Sequence, residues 1–411
     1  MSSTSGEPIV VIGAGAAGLM AAIHASAAGR RVLLLERTAE GGRKILISGG
    51  GRCNVLPSAL QPGRFVSDSS ANLLRRLLLA WPLEEQRSFF EQTVGIPLQL
   101  ETETGKLFPA SNRARDVRDG LVDLARQRGV ELRSGAHVVD VTPDASRWRI
   151  TLHDGESMVA TSVIVATGGL SVPATGSDGM GFEIAKRTGH IVHDTYPALT
   201  PLTANPAVHA ALAGISLDVT LEAPGSGRAG SASGGFLFTH RGYSGPAVLD
   251  LSHLAVRSRE AGAARQQLRV RWTSLTEADW EKRLTERSPQ AVLTVLREAL
   301  PARLAEWLLA DAAVEASRQL AQLRREDRRL LIERLVRYPL PWTGDEGYKK
   351  AEVTGGGIAL DQIQPATLES RRHPGLFFCG EVLDAFGPIG GHNFAWAWAT
   401  GRAAGLGTAR R

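Results

Sequence analysis

The spacing of apolar positions along this chain changes several times, and each change marks an element. Ile9 to Ile12 is an unbroken apolar run, the length of a parallel strand buried on both faces. Gly13, Gly15 and Gly18 follow, then an Ala-rich stretch of helical character opened by Ala16 and Ala17, then a second apolar run, Val32 to Leu35, that ends on Glu36 and Arg37. Helical spacing returns over 70–95 around Leu73, Leu77, Phe89 and Phe90, with Pro82 breaking the run. GKLFPASNRARD (105–116) reads as a loop into a helix from Val117 to Arg128, and Val130 to Val141 reads as one strand. WRITLHDGESMVATSVIVATGG (148–169) alternates around an Asp154-Gly155 turn, a hairpin or short meander. Its last strand, Val163 to Ala166, is closed by Thr167, Gly168 and Gly169. GSDGMG (176–181) is a further glycine turn, before a helix ending near Gly189.

Near Tyr196 the texture changes. Residues 214–222 and 235–239 read as strands around a Gly/Ser-rich loop, APGSGRAGSASGG, and Leu268 to Trp272 as another strand. Residues 276–338 are helical in character, rich in Leu, Arg, Glu and Ala. After Tyr338-Pro339 the first texture returns. Ala351 to Gly357 reads as a strand into a glycine turn, Gly375 to Glu381 as a strand ending in an acid, and Asn393 to Gly405 as a helix entered through GPIGG. The pattern predicts an α/β protein whose nucleotide-binding domain is built from both chain ends, 1–195 and 346–411. A β-rich domain (196–275) and a helical subdomain (276–345) are inserted between them.

The first βαβ unit carries candidate chemistry. Gly13 allows a tight turn, Gly15 lets the backbone approach a pyrophosphate, and Gly18 lets helix and strand pack closely. The helix N-terminus offers free N–H groups to phosphates. Glu36 sits where a carboxylate holds ribose hydroxyls, which favours a free ribose over a 2′-phosphate; Ala16 and Ala17 at the helix start, Arg37 after Glu36, and the Thr167-Gly168-Gly169 turn are further cofactor-binding candidates. A glycine-rich turn in an unrelated α/β protein is the alternative. TAEGGRKILISGGGRCN (38–54) brings Arg43, Lys44 and Arg52 beside that site, on a loop lying along a large anionic cofactor or as solvated surface charge. Val138 and Val139 are candidates beside an adenine, or plain sheet core. At the far end, Gly380 and Glu381 stand at a strand C-terminus, where open α/β sheets bind ligands. Gly390 and Gly391 start a helix with unsatisfied N–H donors.

Composition narrows the class. The 411 residues exceed one ordinary core. Hydrophobic content of 43% and charged content of 22% are those of a soluble globular protein. Two cysteines, Cys53 and Cys379, make no disulfide framework and suit a reducing compartment. Pro8 to Gly29 is free of charge, yet the preceding residues lack Lys and Arg, so neither a signal peptide nor a membrane span is expected. A cytoplasmic protein is expected, with no metal site. The net charge of +5 suits an anionic cofactor or contact with nucleic acid.

Four stretches, VIGAGAAGLMAA (11–22), GRKILISGGGRCN (42–54), LFTHRGYSGPAVLDLS (237–252) and the run from Ala351 to Gly401, resemble the BaiN/YhiN-like flavoproteins, a bacterial family of FAD-dependent oxidoreductases. The resemblance spans nearly the whole chain. It implies bound FAD, a Rossmann-type domain, an inserted β-barrel-like domain and a helical piece. By position, Gly13, Gly15, Gly18 and Glu36 would hold the ADP half. Arg43, Lys44, Gly50, Gly51, Arg52 and Asn54 would lie along the pyrophosphate and flavin, and Gly168 on the adenine side. Glu381 would face the ribityl or ribose chain, and Gly391, His392 and Asn393 the flavin edge. Cys379 replaces the usual Ala, and His392 and Ala395 replace common Tyr and Gln, which leaves the substrate open.

The expected reaction is reduction of an electron-poor double bond in a small molecule, driven by NADH or NADPH as a transient donor. The alternatives are reduction of uridine in ribosomal RNA, which the family also includes, and an FAD-containing RNA-binding protein. His392 is the general-acid candidate, or a packing residue. His240, Arg241 and Tyr243 are candidates to close over the flavin, or structural. Trp396 and Trp398 read as core, and Cys53 as a packed thiol.

Overall fold

In a computed structural model that describes residues 6–27, 29–260, 264–286 and 288–409, the apolar runs pair side by side as a parallel sheet. Its strands are β1 (Ile9–Ile12), β2 (Val32–Glu36), β3 (Glu131–Ser134), β4 (Ser162–Val165) and β5 (Leu376–Phe378). They lie in the order β5-β4-β1-β2-β3. Ile9 stands opposite both Val32 and Ser162, and Val163 opposite Leu376. The central strands are buried at every position, which is why their sequences do not alternate. β5 comes from the far end of the chain, so both ends build this sheet.

Two helices complete the joining of the ends. α1 (Ala16–Ser26) follows β1, and α2 (His392–Thr408) follows β5. Their backbones nearly touch. A Cβ on Gly401 would lie 2.4 Å from the Ala17 carbonyl oxygen, and one on Gly405 would lie 2.4 Å from that of Ala21. Glycines one turn apart on α2 thus face alanines one turn apart on α1, and no larger side chain fits at that crossing. Trp396 and Trp398 on α2 are buried, and their indole N–H groups donate to the Gly380 and Val55 carbonyls.

Contacts divide the chain into two compact units: the residues up to Pro197 with those from Glu352 on, and Ala198–Ala351. The second holds a seven-stranded antiparallel sheet. Two of its strands, Tyr338–Pro339 and Gly344–Asp345, lie beyond the helical segment in sequence. The helices Glu277–Thr285, Val292–Arg297, Ala302–Asp311 and Arg325–Val336 share one core with that sheet, around Trp272, Trp280, Leu296, Leu304 and Leu331. The β-rich and helical segments are therefore one unit, not two.

Several local expectations change. The strand expected over 130–141 is two strands in different sheets, β3 and Val138–Asp144, separated by Gly135 at φ +74°. Lys106–Pro109, expected in a loop, is a strand paired with Leu98–Glu101. Ser231–Gly235 likewise continues a strand, pairing with Val219–Glu222 and Asp218. The glycines after Val353 do not turn; they lie inside the strand Val353–Ile358 beside Val192–Ala198. A Cβ on Gly356 would sit 2.1 Å from the Asp194 carbonyl oxygen, one on Gly355 would meet the Tyr196 ring, and one on Gly357 the Val382 carbonyl, so close neighbours explain them. Residues 43–51 form a short helix, Arg43–Ile47, and a tight turn, not an open loop.

Gly401→Ala is expected to cost about 1–3 kcal/mol, and Gly401→Val more, because the added carbon meets helix backbone and not a movable side chain. Denaturant midpoints of the purified variants check this; a midpoint equal to wild type would show that α1 and α2 can part freely.

Candidate functional site

The β1–α1 turn is shaped by three glycines with three different surroundings. Gly13 has φ +97°, and a Cβ there would lie 2.7 Å from the Ala166 carbonyl oxygen. A Cβ on Gly18 would overlap the Gly13 carbonyl oxygen. Around Gly15 nothing lies within 4 Å of the Cβ position, so the helix start faces open space. No side chain caps α1 there, and its first N–H groups, including those of Ala16 and Ala17, have no intrahelical acceptor. Glu36 is buried beside this turn. Its Oε2 accepts the Ala14 N–H at 2.8 Å, and its Oε1 accepts the Thr38 N–H and hydroxyl at 2.8 and 2.7 Å. Gly135 and Ala136 donate backbone N–H groups to the Thr38 and Glu36 carbonyls, which brings the following Val138, buried, and Val139, half-buried at a bulge, to this neighbourhood. Thr167, Gly168 and Gly169 leave β4 against Gly13.

The far end of the chain meets this turn through one polar network. Lys44 Nζ donates to Glu381 Oε2 and to Ser171 Oγ, both at 2.6 Å. Ser171 Oγ donates to Glu381 Oε1 at 2.6 Å, and the Thr354 N–H donates to the same oxygen at 2.9 Å. Thr354 Oγ1 accepts the N–H groups of Leu170 and Ser171 at 2.7 and 3.1 Å. A Cβ on Gly169 would come within 2.4 Å of Thr354 Oγ1 and 2.9 Å of Glu381 Oε1, so that glycine admits the threonine and the carboxylate together. Gly380 packs on α1: a Cβ there would lie 2.7 Å from that of Ala17. Glu381 sits on a tight turn, Gly380–Val382, rather than at the end of the strand. Ser171 and Thr354 were not singled out from the sequence; a hydroxyl beside a glycine cluster was the only signal they carried.

The start of α2 forms the third part. Gly391 has φ +90°, and a Cβ on it would lie 2.6 Å from the Leu56 backbone. Asn54, in the amide orientation its neighbours require, accepts the Gly391 N–H at 3.0 Å and donates to the Leu56 carbonyl at 3.3 Å. Asn393 is locked to Gly387 by both amide atoms, at 2.9 and 3.0 Å, and so shapes the loop instead of projecting from it. His392 is buried, edge-on to Phe65. Its pKa is lowered to about 4, chiefly by burial and also by the Arg64 charge, while the nearby Ala59 and Ile389 carbonyls oppose the shift. Neither ring nitrogen makes a hydrogen bond of normal geometry. At neutral pH it is a neutral imidazole, so it offers a ring N–H and not an imidazolium. Gly390 lies beside His392 and Lys106.

Other expected ligands differ in what surrounds them. Arg37 pairs with Asp178. Arg52 donates to Glu101 at 3.0 Å and lies 4.0 Å over the Phe108 ring. Arg43 is exposed on the first turn of its short helix, and Gly50 and Gly51 are exposed with positive φ and nothing beside their Cβ positions. Cys53 and Cys379 are buried free thiols, and burial pushes the Cys53 pKa up to about 12. Tyr243 is buried in the second unit with its hydroxyl 2.7 Å from His209 Nδ1, a structural role; His240 and Arg241 are exposed. No described helix is long and apolar enough to cross a membrane.

This donor set fits a dinucleotide. Open space above an uncapped helix start suits a pyrophosphate, and the carboxylates of Glu36 and Glu381 can still accept from hydroxyls. Lys44 and the start of α2 favour negative charge. Residues 7–407 match the family model described as HI0933-like protein Rossmann domain. The chain is 34% identical, over 95% of its length and 95% of the relative's, to the ribosomal RNA dihydrouridine synthase of Escherichia coli (strain K12). It is 30% identical to the 3-dehydro-bile acid delta(4,6)-reductase of Clostridium scindens, over 98% of this chain and 99% of that one. A flavocytochrome c3 fumarate reductase in its open conformation shares the fold, with a TM-score of 0.50 at 15% identity, covering 99% of this chain and 78% of that one.

The His392 shift has a checkable sign. Its folded pKa lies below its unfolded value of 6.5, so the stability it contributes is present above pH 6.5 and is lost as pH falls toward 4. His392→Gln should flatten the loss of stability between those limits by up to about 1.4 kcal/mol per pH unit. Chemical denaturation at pH 7, 6 and 5 measures it; parallel curves for the two proteins would contradict a buried neutral histidine.

Proposed function

The chain belongs to the HI0933-like family and is an FAD-dependent oxidoreductase, and on that premise we propose that it reduces a carbon–carbon double bond conjugated to a carbonyl, with uridine in RNA as the substrate. The observation that carries the reading is the end-to-end match to a protein named ribosomal RNA dihydrouridine synthase, at 34% identity. Ribosomal RNA as substrate would place the protein in the cytoplasm. A small molecule bearing a conjugated double bond is the second reading, favoured by the nearly full-length match to the bile acid reductase. NADH or NADPH is the proposed electron donor in both.

FAD, when bound, supplies two-electron redox chemistry. The chain's own residues bind and orient it. The start of α1 at Gly15 would hold the pyrophosphate, and Glu36 a ribose. Glu381, kept in place by Lys44, Ser171 and Thr354, would accept from the polyol chain. Val138, Val139, Thr167 and Gly168 would flank the adenosine half. The start of α2 would favour negative charge on the ring system. His392 would hold a proton on a ring nitrogen and donate it as a hydrogen bond to an acceptor oxygen, which polarises a carbonyl without requiring an imidazolium.

Surface charge bears on the RNA reading. In the second unit Arg328, Arg334 and Arg337 pair with Glu281, Asp311 and Glu277 at 3.0, 2.7 and 2.6 Å, and Arg297 pairs with Glu306. Much of the arginine in the helices is therefore compensated. Arg324, Arg325, Arg329, Lys349 and Lys350 are exposed and make no ion pair among the described residues, so they are among the cations free to meet phosphates.

Lys44→Met and Glu381→Gln should each weaken FAD binding by about tenfold, because each leaves a partly buried charge without its partner. Flavin titration of the apoprotein checks this. Deleting the gene should remove dihydrouridine from ribosomal RNA, read by mass, and the purified holoprotein should form it from NADPH and uridine-containing RNA under anaerobic conditions. Retained dihydrouridine, with NADPH-dependent bleaching of a conjugated enone by the same protein, would favour the second reading.

A further inference from the structure

The segment between β4 and the helix Met180–Arg187 comes up against Glu36 at Gly176. A Cβ on Gly176 would lie 3.8 Å from Glu36 Oε1 and 3.1 Å from Thr38 Cγ2. Gly176 thus stands beside the carboxylate that would hold the ribose, and Glu36 is only 7% exposed. The segment's far end is tied down twice by Asp178. Oδ1 accepts the Met180 N–H at 3.1 Å, and Oδ2 pairs with the guanidinium of Arg37, the residue that follows Glu36. One ion pair thus joins this segment to the end of β2. Arg37 and Asp178 remain open to solvent, with side chains 42% and 33% exposed, so the pair can be screened and broken without disturbing the core. The segment also contains Val172 at φ +49°, a conformation a β-branched residue adopts at a cost.

We propose that Arg37 and Asp178 are a latch: their ion pair holds residues 172–179 against Glu36, and its opening sets how fast the adenosine end of FAD leaves. Arg37 is then a positioning residue and not a cofactor ligand, which revises the role its place after Glu36 suggested. The inference rests on FAD binding at Glu36. A preparation that takes up no flavin at all would speak against that binding, whereas altered release speaks to the latch.

The test uses the flavin-loaded full-length protein, diluted into an excess of a flavin-scavenging apoprotein, with release followed by absorbance. Asp178→Asn keeps an acceptor for the Met180 N–H and removes the charge. It and Arg37→Gln should each release FAD about two- to fivefold faster. The double variant should be no faster than either single one, and the exchanged pair R37D/D178R should restore slow release. Raising NaCl from about 0.05 to 1 M should speed release from the wild type and not from Asp178→Asn. Release at the wild-type rate in both single variants would overturn the proposal. So would additive effects of the two, since Arg37 would then act on the cofactor independently of Asp178. A matching fall in the melting temperature of the apoprotein would overturn it too, as loss of general stability.

Discussion

The structure depends on how closely two helix backbones approach. α1 leaves the first strand and α2 leaves the last, and they are separated in sequence by the whole of the second unit. Gly401 and Gly405 against Ala17 and Ala21 let them touch with no side chain between. That contact sets where the start of α2 can be, and with it His392 and Gly391. It also presses Gly380 onto Ala17, which places Glu381 within reach of Lys44. A close-packed crossing of this kind has no slack, because an added methyl group meets backbone that cannot rotate away.

Charge is then arranged around the space the crossing leaves. Glu36 and Glu381 are carboxylates of the candidate site, and each is held by neighbouring donors in a fixed direction. The starts of α1 and α2 contribute partial positive charge without desolvating a side chain. Lys44 adds a full charge, tempered by Glu381. The arginines behave differently. Arg37 and Arg52 answer acids of the protein itself, and Arg118 reaches from its helix to Glu40 at 2.7 Å, steadying the turn that precedes Lys44. Most of the positive charge near the site thus shapes the cradle, and little of it is left to meet a ligand.

What the second unit adds is a single core shared by sheet and helices, with a buried polar centre. His209 bonds Tyr243 and Tyr338 at 2.7 and 3.2 Å, and burial lowers its pKa to about 4. A neutral imidazole between two phenols satisfies both ring nitrogens, so this cluster holds strands and helices together and needs no ligand to account for it.

The sequence alone determined the βαβ unit from Ile9 to Glu36 and the joining of both chain ends, and its resemblance to a flavoprotein family carried the flavin chemistry. The first two rest on local pattern: unbroken apolar runs, glycines at fixed spacing, and an acid closing a strand. It also marked Lys44, Glu381 and His392, through the glycines and basic residues around them. Only the tertiary structure decided which marked residues face the site. Arg37 and Asp178, or Lys44, Ser171, Thr354 and Glu381, meet across more than a hundred positions of chain in most cases, and no spacing rule reports such a meeting. The glycines of 355–357 show the same limit. Glycine reads locally as a turn, but the Tyr196 ring, the Asp194 backbone and the Val382 carbonyl are what require it at the three positions in turn, and those neighbours are known only once the chain is folded.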